Sequence, residues 1–303
     1  HKEILIQKEE IETQNESILI INEELEHRNI LIVESLNYAK RIQSALLPSE
    51  EYINKLLNLA GFNDAKFFIL FKPKDIVSGD FYWVAETNDY LFIAVADCTG
   101  HGVPGAFMSL IGVSLLNEIV KGKNILCPAE ILTELNVSII NSLNQVTVNS
   151  NETIIDGMEI TLCRIKRNSP EISIAVAGQT AFIINNGNVN EIDGTFYSIG
   201  DHIIVKRDLK FDKQIITADN SDTIYIFSDG FPDQFGGPEN QKFTQKKFKD
   251  LLLSINSKPL EEQKAILNES LKGWMSHTPS QKGQEQTDDI TVIGLRIINT
   301  HNE

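Results

Sequence analysis

Four short acidic turns in this 303-residue chain each place a carboxylate at or beside the end of an apolar run. They are Ser78-Gly79-Asp80, Ala96-Asp97, Phe227-Ser228-Asp229-Gly230 and Thr287-Asp288-Asp289-Ile290. Carboxylates drawn from strand ends to one rim of a sheet repel one another and shift toward the protonated form unless cations neutralise them. Oxygen donors without a His or Cys companion suit hard ions, Mg²⁺ or Mn²⁺, which keep several of their waters. Two such ions side by side activate a water and clamp a phosphoryl oxygen, which is hydrolytic chemistry. Singly, each turn is also an ordinary Asp-Gly bend or helix cap. Ala94 to Ser109 shows the ambiguity best, because it reads as strand, acidic turn with Gly100, His101 and Gly102, then a small-residue helix. Taken alone, that stretch fits a metal or phosphate site and a capping Asp97 equally well.

Elements of two kinds must position these turns. Ile4, Ile11, Ile18, Leu25, Ile32, Ala39 and Leu46 recur at every seventh residue, a sustained heptad core position. The partner positions Gln7, Gln14, Ile21, Arg28, Ser35 and Ile42 are largely polar, and Pro48 ends the helix. The pattern predicts a weak, register-adjustable coiled coil over residues 4–46, a homodimeric signalling linker; a helix packed on its own domain is the alternative. The expected division is a coiled-coil helix over 1–47, a catalytic domain over 48–299 and a tail over 300–303.

Beyond Pro48 the material is mixed. Strands are expected at 66–71, 81–85, 91–96, 159–165, 171–177, 181–185, 188–191, 202–206, 223–228 and 290–297. Helices are expected at 105–120, 129–143, 243–253 and 259–275, with a mobile polar loop at 276–287. Strands that cluster rather than alternate with helices argue for an α+β fold, antiparallel sheets packed together with helices outside.

Composition removes several function classes. A formal net charge of −15, from 27 Lys+Arg against 42 Asp+Glu, disfavours nucleic-acid partners and with them a nuclease. No run approaches the ~18 consecutive apolar residues of a spanning helix. Cys98, Cys127 and Cys163 are odd in number and widely spaced, which predicts reduced thiols and a cytoplasmic location. The chain starts at His1-Lys2 without a Met, so it is expected to be the cytoplasmic part of something longer, with a sensor or a membrane anchor upstream.

Read together and in order, Asp97-x-x-Gly-His-Gly102, Ser228-Asp-Gly-x-x-Asp-Gln-Phe235 and Asp288-Asp-Ile-Thr-Val-Ile293, with Ser78-Gly-Asp-Phe-Tyr82 upstream, resemble the bacterial PP2C-like serine phosphatases of the SpoIIE/RsbU type. The resemblance extends from Ala39-Lys-Arg-Ile-Gln43 and Leu46-Leu-Pro48 to Ile297. It implies a β-sandwich flanked by helices with two Mn²⁺ or Mg²⁺ ions at one edge. It also implies hydrolysis of phosphoserine or phosphothreonine on a protein by a metal-activated water, without a phosphoenzyme. Carried over, Asp97 bridges both metals, the Cys98 main-chain carbonyl and Asp80 complete one, and Asp229 and Asp288 bind the other. Asp289 supports the ligands from behind.

The resemblance leaves other residues with weaker assignments. His101 can protonate the leaving oxygen or hold the turn, and the structural role is preferred. Lys72 and Lys74 precede Asp80 where relatives carry a basic residue near phosphate, and a solvated loop is the alternative. Asp233 and Gln234 are expected to bond within their turn, and Trp274 to pack in the core. The implied substrate is a regulatory phosphoprotein of the anti-sigma-factor-antagonist type. An upstream sensor would act through the linker and the helices after Asp97. A catalytically silent binding module of the same fold is the rival reading. Two departures from the family pattern, Glu159 and Gly178-Gln179, are expected to lie away from the metal ligands and to bear on substrate choice.

Overall fold

The computed structural model describes residues 2–59, 65–143, 156–201, 210–218, 222–277 and 283–297. The chain divides into two compact units, His1–Ile42 and Gln43–Glu303. The first unit is helix throughout its described length, part of α1 (Lys2–Leu46). Its heptad residues Ile4, Ile11, Ile18, Leu25 and Ile32 are all more than half exposed. Exposed apolar side chains at one recurring helical position fit a coiled-coil-like linker.

In the second unit α1 ends at Leu46, and α2 (Glu50–Leu59), which the periodicity did not predict, follows Pro48. Ser49 Oγ accepts the Tyr52 N–H at the start of α2, the bond expected of a helix cap. Among the described residues twelve strands follow: β1 (Ala65–Lys72), β2 (Phe81–Glu86), β3 (Tyr90–Cys98), β4 (Met158–Lys166), β5 (Glu171–Ala177), β6 (Thr180–Asn185), β7 (Asn188–Asp193), β8 (Lys213–Thr217), β9 (Thr223–Phe227), β10 (Phe235–Gly236), β11 (Gln241–Lys242) and β12 (Ile290–Ile297). One antiparallel sheet has the order β1-β12-β9-β6-β7, the other β2-β3-β4-β5-β8, and β10 pairs with β11 in a short ribbon. The expected α+β sandwich of antiparallel sheets is therefore the observed fold. The expected strand at 202–206 and the tail at 300–303 lie outside the described residues.

The helices cover the outer faces. The helices α3 (Gly102–Asn117) and α4 (Pro128–Ser142) lie on the second sheet, where Met108, Val113, Leu116, Ile131, Leu135 and Ile139 meet Phe81, Trp83 and Phe92. Helices α6 (Gln245–Ile255) and α7 (Leu260–Ser276) lie on the first sheet, where Phe248, Leu252, Leu267 and Leu271 meet Phe68, Phe182, Tyr225 and Phe227. One-turn α5 (Gly230–Asp233) separates β9 from β10. α3 runs on as a π turn, Glu118–Gly122. Together, Gly102–Gly122 is long and apolar enough to cross a bilayer, but its buried side chains belong to the cluster against the second sheet, as in a core helix.

Between the sheets lies a third apolar layer containing Ile69, Val84, Leu91, Ile93, Val95, Ile224, Ile226, Ile293 and Leu295, with Ile53, Leu56 and Leu57 of α2. Side chains alternate along each strand, so the memberships of the three layers assign the faces. Val84, Val95, Ile226 and Ile293 face inward, and the same parity puts Asp80, Asp97, Ser228, Thr291 and Asp289 on the inward faces. Register then brings these positions to one end. Phe81 lies opposite Ala96, Asp97 opposite Glu159, and Val292 opposite Phe227. At that end of the sandwich the aliphatic interior gives way to carboxylates and hydroxyls.

Candidate metal centre

Asp80 is the most deeply placed of the carboxylates, 1% exposed. Its Oδ2 accepts from Ser228 Oγ at 2.5 Å and from Thr291 Oγ1 at 2.8 Å. Burial pushes its carboxyl up to about 8, against the pull of those two hydroxyls, with the charges of Asp289 and Asp288 adding to the rise. Asp97, at the end of β3, is pushed up to about 10 by burial, then by the charges of Asp80, Asp229 and Asp288. Asp229 is raised by burial and by Asp233. Asp97 and Asp229 act on each other in opposite directions, Asp229 raising Asp97 and Asp97 opposing the rise of Asp229. Lys242 pairs with Asp233 at 2.6 Å rather than with Asp229.

The loop carrying Asp80 is held in place by Asp289. Its Oδ1 accepts from the Lys74 N–H and its Oδ2 from the Gly79 N–H, both at 2.7 Å. Asp289 is itself raised by burial, and these two N–H groups oppose the rise. Close backbone approach fixes the other side of the turn. A Cβ on Gly105 would stand 2.2 Å from the Gly100 carbonyl oxygen and 2.7 Å from the Gly79 Cα, and one on Gly79 would stand 2.6 Å from that same oxygen. The Asp80 loop, the Asp97 turn and the first turn of α3 therefore touch through backbone, which only glycine permits.

An open cleft of about 280 Å³ lies over this end of the sandwich, walled by Asp97, Cys98, Thr99, Gly100, His101, Met158, Glu159, Ser198, Asp229 and Asp288. Asp80 lies outside that wall, buried. The Cys98 side chain belongs to the layer against α3, and burial pushes its thiol well up. What Cys98 can offer the cleft is its main-chain carbonyl. Among the described residues, no three Asp, Glu, His or Cys side chains close on a single point at ligand distance. The donor set nonetheless fits hard divalent cations. It consists of oxygens only, and burial together with the neighbouring carboxylate charges raises Asp80 and Asp97, a penalty that a cation would relieve.

Other residues singled out in the sequence fall at different distances from this centre. His101 Nδ1 meets Asp75 Oδ2 at 2.8 Å, a partner that sequence reasoning did not anticipate. Lys72 and Lys74 are on the loop side and do not wall the cleft; the Lys72 carbonyl accepts from Gln286 Nε2. Gln234 is buried and ties the segment before β12, accepting from the Thr287 N–H and donating to the Glu285 carbonyl. Residues 283–287 of the expected mobile loop are thus hydrogen-bonded to the body, because a buried amide supplies both donor and acceptor there. Trp274 packs edge-on against Phe243 at 5.2 Å and donates from Nε1 to the Gln234 carbonyl.

The two departures from the family pattern are not remote, and that expectation is corrected. Glu159 lies across from Asp97 in the β3–β4 register and walls the cleft. Burial, then Asp229, pushes its carboxyl up to about 7. A Cβ on Gly178 would stand 2.7 Å from the Glu159 side chain, and Gln179 Nε2 donates to the Glu159 carbonyl. The two sites, 19 residues apart from Glu159 to Gly178 on β4 and after β5, become one because those strands are paired.

A comparison with protein families matches residues 87–298 to the model for stage II sporulation protein E, SpoIIE. The chain belongs to the SpoIIE family. The SiaA-PP2C domain of Pseudomonas aeruginosa superposes on it with a TM-score of 0.74 at 30% identity, over 88% of this chain and 98% of that one. The PP2C phosphatase domain of Bacillus subtilis SpoIIE, with a fragment of its regulatory domain, gives 0.59 at 20% identity over 78% of this chain and 63% of that one. The RsbU and RsbW domains of a Mycobacterium tuberculosis protein give 0.58 at 18% identity over 77% and 60%. No curated protein matches in sequence. This SpoIIE-family chain therefore has the PP2C-type serine phosphatase fold.

Proposed function

We propose that this SpoIIE-family chain is a metal-dependent protein serine/threonine phosphatase. The observation that carries the reading is the convergence of Asp80, Asp97, Asp229 and Asp288 at one end of the sandwich, beside an open cleft. Asp80, Asp97, the Cys98 carbonyl, Asp229 and Asp288 would hold two Mn²⁺ or Mg²⁺ ions, with Asp97 between the two sets. When bound, such a pair supplies Lewis-acid activation of water and a clamp on phosphoryl oxygen. The chain's own residues prepare for this. Ser228 and Thr291 aim Asp80, and Asp289 fixes the loop that presents it. His101 anchors the turn through Asp75, and this bond leaves Nε2 as the ring atom that could carry a proton to a leaving serine oxygen.

The substrate is a phosphorylated regulatory protein, of the anti-sigma-factor-antagonist type. A cleft open to solvent supports a protein substrate over an enclosed small molecule. The exposed heptad seam supports homodimerisation through residues 4–46 and control by a sensor acting through that helix. Free Cys98, Cys127 and Cys163 support a cytoplasmic location.

Phosphate release from a phosphoserine protein in Mn²⁺ and in chelator tests the reading, with Asp97→Asn and Asp229→Asn alongside. Release by the wild type in Mn²⁺, falling by more than about a hundredfold in either variant, is expected, since even loss of a residue that only supports a ligand costs 10–100-fold. Wild type as inactive as both variants with Mn²⁺ and Mg²⁺, while still retaining a phosphoprotein, would leave the silent binding module as the better account.

A further inference from the structure

Gln43 is the first residue of the second unit and lies on the last turns of α1. It is 6% exposed, an uncharged amide where a helix surface would otherwise bury an aliphatic side chain. Its partners are all distant in sequence. Nε2 donates to the Ser78 carbonyl at 2.6 Å and to Ser109 Oγ at 2.9 Å, and Oε1 accepts from the Ser78 N–H at 3.1 Å. The amide thus pairs with both backbone groups of a single residue, as a neighbouring strand would. Ser109 Oγ in turn donates to the Ala106 carbonyl inside α3 at 2.8 Å.

Ser78 is two residues before Asp80. The loop between them is gripped from one side by Asp289, through the Lys74 and Gly79 N–H groups. Gln43 grips it at the adjacent residue, and also ties it to α3, whose first turn follows Asp97. A bidentate contact on backbone fixes both position and rotation of the peptide, so Asp80 Oδ2 is delivered to Ser228 and Thr291 in one orientation. Loss of the amide would leave a buried N–H and a buried carbonyl unpaired, which a buried loop avoids by moving.

We infer that Gln43 is a positioning residue for the metal centre: its side-chain amide sets the loop that carries Asp80, and so sets metal affinity without touching metal or substrate. The inference rests on the phosphatase reading for its functional meaning. Because Gln43 is on α1, rotation of that turn would break all three bonds together.

The test compares wild type, Gln43→Ala, Gln43→Glu and Asp97→Asn over the full chain. Mn²⁺ binding is measured without turnover, by electron paramagnetic resonance of free Mn²⁺, and aryl phosphate hydrolysis is followed across Mn²⁺ concentration. Gln43→Glu keeps the acceptor for the Ser78 N–H but sets an oxygen against the Ser78 carbonyl. Both Gln43 variants should bind Mn²⁺ about 10–100-fold more weakly, the range for outer residues that orient ligands. Their rate at saturating Mn²⁺ should stay within about threefold of wild type, which separates positioning from a direct catalytic role. Circular dichroism in chelator verifies folding, and Gln43→Glu retains the side-chain size should Gln43→Ala unfold. Variants that match wild type in Mn²⁺ binding, whatever their thermal midpoint, would overturn the proposal. Wild type that binds Mn²⁺ only as weakly as Asp97→Asn would overturn the phosphatase reading and this inference with it, a result distinct from a wild type–Gln43 match.

Discussion

The two sides of the carboxylate cluster are built differently. Asp80 is enclosed, and its Oδ2 is held by two hydroxyls from neighbouring strands of the opposite sheet, Ser228 and Thr291. Asp97 and Asp229 stand in the wall of the cleft, and burial and neighbouring carboxylates raise both. The first arrangement keeps one geometry whatever occupies the centre. The second consists of like charges whose distance depends on what neutralises them. If the centre holds metal as proposed, the sandwich would set its geometry, and protons and cations would compete for Asp97.

The largest expected effect tests the fixed side. Replacing Ser228 and Thr291 together by Ala removes both donors to Asp80 and should weaken Mn²⁺ binding by about 10–100-fold, read by titration calorimetry. Unchanged affinity would mean that burial alone orients Asp80.

A smaller effect tests the responsive side through pH. Asp97 and Asp80 are raised from the usual carboxylate value of 3.8 to about 10 and about 8. The folded chain therefore binds more protons than the unfolded chain between those limits, and stability falls as pH rises there. Without divalent cations, the thermal midpoint should be highest near pH 4 and decline toward pH 8 to 10. Saturating Mn²⁺ should flatten that decline, because metal displaces the protons. A metal-free midpoint that rises from pH 5 to pH 8 would break the contrast between the two sides.

The smallest effect on the cleft is expected from the heptad seam. Ile18 and Ile21 are more than half exposed, so Ile18→Asp with Ile21→Asp should change the stability of the second unit by no more than about 0.5 kcal/mol. The same pair should abolish dimerisation in sedimentation equilibrium. A dimer that survives both substitutions would place association elsewhere.

Much of the sandwich was readable because its strands alternate or run apolar between turn residues, and β2, β3, β4, β5, β6, β9 and β12 fall within a few residues of their expected limits. Helix α2 and strand β8 were not readable. The former is short, although Ile53, Leu56 and Leu57 recur on one helical face, and the latter, Lys213–Thr217, is mostly exposed and so lacks an apolar face. The four acidic turns stood out because a carboxylate beside an apolar strand is costly unless something compensates it. Glu159 had the same signal, a carboxylate at the head of an apolar strand, but its distance from the motifs hid it. Gln43 had a fainter one, a polar residue close to the apolar positions Ala39, Ile42 and Leu46.

By itself, the sequence determined residue type and local conformation: which runs become strands, where the carboxylates interrupt them, and that the N-terminal helix carries an uncovered seam. These are properties of periods of two and seven and of turn chemistry, all within a few residues. The tertiary structure alone decided which of these residues meet. Gln43 reaches Ser78 across 35 positions, Ser228 reaches Asp80 across 148 and Thr291 across 211. Such pairings depend on strand order and register, and a shift of one residue in any strand would turn its carboxylate to the opposite face.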